Sequence, residues 1–328
     1  MSKYGIPYKG SKGNIVEKFI HLFPKADNFY DIFGGGFSVT HCMLLKRCED
    51  YNTFHFNEIN NQLLLLIKNA INGEYDYINL PKWVSREEFF DKKDSDPYIK
   101  YIWSFGNNGN SYLFGKNIEK YKESMHNAVV FGEFDALSTE VLDRDSWDTD
   151  NFKERRLFVR HKIEEYRVTK IPLILHQFLH TEQLQQLERL EQLEQLQQLQ
   201  QLERLEQLQQ LQQLLQLERL QQLQQLERLD KLKGTALDYR KVCILPNSVV
   251  YCDPPYKNTS SYGSIFNTKE FLDWAAGQEN PVYISEYEIQ DSRFEAVFEI
   301  KKRALMDNSK KSCKNKIEKI YWNKKSLK

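Results

Sequence analysis

An apolar strand, Ser248-Val-Val-Tyr-Cys252, runs straight into Asp253-Pro254-Pro255-Tyr256, and no other stretch limits the fold as tightly. Proline fixes φ and carries no N–H, so two in succession end any ladder and leave the Pro254 carbonyl free to accept from a ligand. An aspartate and that carbonyl can together receive the two hydrogens of an exocyclic amino group, and an adjacent tyrosine ring can stack on a flat base. Ordinary residue frequencies would give the tetrapeptide in about one chain in a thousand of this length, so chance is a poor account of it. The strand ends in a rigid cradle of acceptors.

The flanking pattern supplies a sheet for this strand. Residues 1–80 read as a helix from Lys12 to Leu22, a strand from Asn28 to Phe33, a helix from Ser38, a strand from Tyr51 to Phe56 and a helix from Asn60. That alternation is the βαβ rhythm of a parallel sheet. It resumes after Gly234, with a helix opened by Asn267 and Glu270 in capping-box spacing and a strand from Val282 to Ser285. The fold class is therefore α/β, with a core formed by residues 1–80 and 234–328 and split by what lies between.

Two different segments do the splitting. Residues 81–181 are rich in aromatic and charged side chains, show no strand–helix alternation, and predict a separate, mostly helical insert. Residues 182–233 are almost wholly Leu, Gln, Glu and Arg, with leucine at every third position from Leu184 to Leu232, seventeen times without a miss. In an α-helix a step of three turns about 300°, so these leucines wind around the cylinder and form no heptad seam. Propensity nonetheless favours helix, since the tract has no Pro, Gly or β-branched residue. An α-helical arm that either makes the chain self-associate, giving a homo-oligomer, or links its domains is expected, and a solenoid of stacked repeats is the alternative.

Composition excludes several classes. With 46 basic and 46 acidic side chains the molecule has no uniformly basic field, so any polyanion must meet a local patch. Lys301 to Lys328 is one, with eleven Lys or Arg against Asp307 and Glu318. The five cysteines form no CxxC pair and the seven histidines no ligand spacing, so no metal site is expected. No apolar run approaches a membrane span and the N-terminus lacks an apolar signal segment, which predicts a soluble protein of the reducing cytoplasm.

A second chemical signal is the glycine turn Asp31-Ile-Phe33-Gly34-Gly35-Gly36-Phe37, placed after one predicted strand and before a helix. Glycine there lets the backbone approach a ligand. Glu58, 23 residues beyond Gly35, follows the end of the next strand, near the separation at which a doubly wound fold places an acid to hold a ribose diol.

Taken with Tyr8-Lys-Gly10-Ser-Lys12 and Glu58-Ile-Asn60, these motifs resemble the DNA adenine methylases of the Dam type, which use S-adenosylmethionine (SAM). The likeness covers residues 4 to about 75 and 237 to about 325, with the glycine turn before Asp253-Pro-Pro-Tyr and the insert between. It implies a Rossmann-like methyltransferase core whose insert reads double-stranded DNA, in a protein encoded by a bacterium or phage. By resemblance Tyr8, Lys12, Asp31, Phe33, Gly35, Glu58 and Asp253 line the SAM pocket, while Asp253, Pro254, Pro255 and Tyr256 hold the target adenine. Ser104 to Asn110 and Tyr112 to Gly115 look like the start of the target-reading segment.

One position departs from the family. Its turn reads Phe-x-Gly-x-Gly, and here Phe37 replaces the second glycine. A bulky side chain there either crowds the cofactor and weakens its binding or, if φ is positive, strains the backbone by about 1–3 kcal/mol. Two alternatives stay open from sequence: methylation of cytosine N4, which needs the same acceptor cradle, and a DNA-binding or assembly protein that has lost catalysis through Phe37.

Overall fold

The computed structural model describes residues 3–6, 8, 10–75, 83–151, 154–162, 229–255, 266–302 and 316–327, together with 220, 222, 223 and 226. Seven strands, β1 (Asn28–Asp31), β2 (Thr53–Asn57), β3 (Leu232–Thr235), β4 (Ser248–Cys252), β5 (Val282–Glu286), β6 (Glu295–Lys302) and β7 (Lys316–Trp322), form one sheet. Their order is β3-β2-β1-β4-β5-β7-β6. The first five are parallel, and β7 enters antiparallel between β5 and β6. β4 has the predicted bounds, and every residue of β1 and β4 is buried, as strands covered on both faces require.

Alternate side chains of each strand enter different cores. Phe29, Val249, Tyr251 and Tyr283 join a large cluster, and Tyr30, Val250, Cys252, Val282 and Ile284 a second one on the opposite face. The first is covered by α1 (Ser38–Arg47), α2 (Asn61–Ile71) and the N-terminal segment; the second by the helix Thr268–Gly277. Asn60 and Asn267 cap their helices as expected, accepting from Leu63 N and Glu270 N.

The helix predicted from Lys12 to Leu22 does not form; two 3₁₀ turns, Val16–Lys18 and Ile20–Leu22, stand in its place. Tertiary contacts override propensity there. Phe19 and Phe23 pack against Tyr251, and the backbone upstream is tied down by Ile6 N donating to Gly36 O (2.8 Å), Gly5 N to His41 Nδ1 (2.9 Å) and Lys12 N to Ser38 Oγ (3.2 Å). Of the basic C-terminal stretch, Lys301 and Lys302 end β6 and Lys316–Trp322 form β7. Residues 303–315 lie outside the described set.

Among the described residues between α2 and β3 the insert carries helices. It contains α3 (Arg86–Lys92), α4 (Pro97–Ile102), α5 (Glu119–His126) and α6 (Ala136–Leu142), and a helical stretch over 154–162. Asp96 caps α4 and Asp135 caps α6 through a capping box with Ser138. Of the leucine tract, 182–219 lie outside the described residues, and so does the predicted arm or solenoid. Its last leucines are in the protein core: Leu220, Leu223 and Leu226 are buried there, with Leu229 and Leu232 packed alongside.

Candidate active site

The chain leaves β1 toward β2 and β3 on one side and returns to β4 and β5 on the other, so the strand order reverses between β1 and β4. A crevice opens outside the carboxyl ends of the strands at such a switch point. Register fixes what faces it: Asp31 pairs with Tyr251, which places the Asp31 side chain and the Asp253 segment at the same edge. A cavity of about 330 Å³ lies there. Tyr8, Lys12, Asp31, Phe33, Gly35, Glu58, Asp253, Pro254 and Pro255 all line it. Tyr256 lies outside the described residues.

Gly35 has φ +49°, and its N–H donates to Glu58 Oε2 at 2.8 Å, so turn and acid are built as one unit. The other Glu58 oxygen accepts from Asn60 N at 2.9 Å. Gly36 leaves no room for a side chain, because a Cβ would come within 2.8 Å of Ile6 O. Phe37 has φ +66°, so the strain expected from a positive φ is present. Crowding of the cavity is not found: the ring is fully buried, edge-on to Phe56 at 5.0 Å and alongside His41, and is absent from the cavity lining.

Several acids at this edge are buried and hold their protons more tightly than usual. Asp31 is 1% exposed; its Oδ2 accepts from Thr40 Oγ1 at 2.8 Å, while Oδ1 is buried with no hydrogen-bond partner among the described residues. Burial, opposed by Thr40 and reinforced by the charges of Asp253 and Glu58, pushes its pKa up to about 7. Burial likewise raises Glu58, against the two backbone N–H groups that favour its ionised form. At the end of β5, Glu286 is half-buried and pushed up to about 7, by burial first and by Asp253 next. Lys12 is buried and lies 2.6 Å from Asp253 Oδ2 and 3.1 Å from Glu318 Oε1.

Several lining residues were missed from sequence. Asp238, Tyr239 and Arg240 follow β3, and Phe266 and Glu270 sit at the start of the helix Thr268–Gly277. Tyr239 and Phe266 pack with Phe33 into an aromatic wall, at 5.6 and 5.8 Å between ring centres. Arg240 bridges Asp238 and Glu270, each at 2.7 Å. The rule that selected Glu58, an acid just past a parallel strand, would also have found Asp238 had β3 been placed at Leu232–Thr235.

The segment from Ser104 to Gly115 forms a looped bridge beside this edge. Ser104 and Tyr112 pair antiparallel, Gly106, Asn107 and Gly109 all have positive φ, and Phe105, Asn108, Asn110 and Ser111 are exposed at the tip. Its root is fixed to the cavity rim: Tyr101 OH accepts from Asn60 Nδ2 at 2.6 Å, its ring meets Tyr8 edge-on, and its carbonyl accepts from Asn107 Nδ2.

Among the described residues no group of three His, Cys, Asp or Glu is placed to hold a metal ion, and no helix is long and apolar enough to cross a membrane. The mostly parallel sheet, with a switch-point cavity walled by aromatic rings and by acids at the ends of adjacent strands, is consistent with the Rossmann-like class. The family of D12 class N6 adenine-specific DNA methyltransferases matches residues 8–280, and the chain belongs to it. No curated relative matches the chain. Membership makes SAM the cofactor and DNA adenine N6 the methyl acceptor, which selects adenine over cytosine N4.

Proposed function

We propose that the protein methylates adenine within a specific site of duplex DNA, after the base has left the helix, and that both the cofactor and the target amine are held in the switch-point cavity. The observation that carries this reading is the pair of acids at adjacent strand ends, Asp31 and Asp253, facing one cavity, with Asp31 Oδ1 buried and without a hydrogen-bond partner among the described residues. An orphaned buried carboxylate oxygen is costly unless a ligand completes it.

The residues fit SAM. Asp31 Oδ1 would accept from its amino group, Glu58 from its ribose hydroxyls, and Phe33, Tyr239 and Phe266 would border its apolar surface, with Tyr8 and Lys12 closing the cavity from the N-terminal segment. When bound, the cofactor supplies an electrophilic methyl group on a sulfonium. The chain supplies position and charge. Asp253 and the Pro254 carbonyl accept from the adenine amino group, drawing its lone pair out of ring conjugation and stabilising the positive charge that grows on nitrogen. Tyr256 is assigned to stack on the base. Flipping makes the amine reachable, since a paired base hides it within the stack.

The insert over 81–181 is assigned to reading the DNA sequence, with Phe105, Asn108, Asn110 and Ser111 as the exposed tip that would meet it. The alternative of a chain that has lost catalysis loses its motive, because Phe37 packs into the core instead of entering the cavity. Incubation of the protein with unmethylated DNA and SAM, followed by sequencing that detects modified bases, tests the reading. N6-methyladenine within one short sequence context is expected; modification of cytosine, or of no base, would refute it.

A further inference from the structure

We propose that Glu318, on β7 near the far end of the chain, is a positioning residue for methyl transfer: it shares the Lys12 ammonium and so keeps Asp253 a strong acceptor. The proposal rests on the reading of Asp253 as the group that receives the target amine. Lys12 Nζ lies 2.7 and 2.6 Å from Asp253 Oδ1 and Oδ2, 3.1 Å from Glu318 Oε1 and 3.3 Å from the Gly10 carbonyl. An ammonium has three hydrogens to donate, and Asp253, Glu318 and the Gly10 carbonyl are among the groups that surround it.

Exposure separates the partners. The side chains of Lys12 and Glu318 are each 1% exposed and that of Asp253 is 19%, so the substrate side of the trio is Asp253 alone. Burial by itself would drive Lys12 toward neutrality, but Asp253 first and Glu318 second outweigh it and hold it protonated. One carboxylate would serve to balance one ammonium. A second buried carboxylate is expensive to desolvate and needs its own support, which Ser285 Oγ gives by donating to Glu318 Oε1 at 2.7 Å.

The second carboxylate changes the charge that the substrate meets. With Glu318 ionised, the trio carries one net negative charge, displayed at Asp253. With a neutral residue at 318 the trio is neutral, Asp253 is the one carboxylate of the trio left to balance the ammonium, and it accepts more weakly from an amine that is gaining positive charge.

Glu318→Gln keeps the side-chain volume and an acceptor for Ser285. Methyl transfer from labelled SAM to unmethylated DNA, both saturating, is expected to slow on the order of tenfold, the scale of coupling between groups in contact, while the KM for SAM changes only a few-fold. A variant with an unchanged maximal rate, whatever its melting temperature, would overturn the proposal. Should Glu318→Gln fold poorly, the comparison moves to a Lys12→Met background, where Glu318 is a buried charge without its ammonium. There Glu318→Gln is expected to raise the melting temperature and to slow transfer no further; another tenfold loss would mean that Glu318 does not act through Lys12 and would overturn the proposal equally. Wild-type protein that forms no N6-methyladenine would instead bring down the reading of the site as a whole, whereas active wild type with an unimpaired Glu318→Gln removes the role of Glu318 alone.

Discussion

The carboxyl edge of the sheet and the inserted helices over 83–162 treat acidic side chains in opposite ways. In the insert, acids close helix ends: Asp96 accepts from Tyr98 N and Ile99 N, and Asp135 from Ser138 N and from the Ser124 and Ser138 hydroxyls. Those bonds hold the Asp135 carboxyl below its ordinary pKa, Ser124 foremost. At the sheet edge, Asp31 and Glu58 are buried before any ligand arrives, and their pKa values rise. One region uses charge to stabilise a fold; the other keeps acids where burial disfavours their charge, which under the proposed function a cationic ligand relieves.

The sharpest way to break this contrast is Asp31→Asn. Its affinity for SAM is expected to fall about a hundredfold, read by titration calorimetry, because a charge-assisted bond to the cofactor's amino group is lost. The same variant is expected to be more stable than wild type without ligand at pH 8, by a few kcal/mol on the order of the shift itself. The sign follows because burial holds the folded carboxyl at about 7, above its ordinary value of 3.8. The penalty is absent below the unfolded value, grows as pH rises between the two, and is complete above about 7. Denaturant melts at pH 5 and pH 8 should therefore show the advantage of the variant shrinking in acid. Equal stability at both would mean that Asp31 is not a stored charge.

Phe37 sharpens the contrast within the edge itself. Phe37→Ala is expected to cost about 3 kcal/mol through the cavity it leaves beside Phe56, and Phe37→Gly about 1 kcal/mol less than that, since glycine accepts the left-handed backbone. Urea titrations of the two variants measure the difference. Equal costs would contradict the positive φ, and a large change in SAM affinity would contradict the placement of the ring outside the cavity.

A smaller effect is expected in the insert. Asp135→Ala should cost about 1 kcal/mol of stability, the usual worth of a cap, with SAM affinity unaltered. As a carboxyl with a lowered pKa, Asp135 contributes stability above its unfolded value that is lost as pH falls, opposite in direction to Asp31. The wild-type affinity for SAM should weaken by up to about tenfold per pH unit below 7 as Asp31 takes up its proton, which titrations between pH 6 and 8 would detect.

Local signals account for what was legible from sequence. β4 was placed residue for residue because its apolar run is cut by two prolines, and α2 was found through Asn60. Asp31, Gly35, Glu58 and Asp253 were found on the cavity because glycine turns and strand-end acids leave short-range marks. The rest depends on distance. The break at Lys12 to Leu22 comes from packing on Tyr251, far along the chain, and Glu318 looked like one acid in a basic tail until β7 brought it to Lys12. Even so, the alternation in Lys316-Ile-Glu-Lys-Ile-Tyr-Trp322 was a strand signal masked by its charge.

Single-turnover methyl transfer by Asp253→Ala, with SAM binding titrated on the same preparation, tests the account most directly. Transfer is expected to fall by at least about a thousandfold, with a folded protein that still binds SAM. Transfer within about tenfold of wild type would show that the amine is held elsewhere.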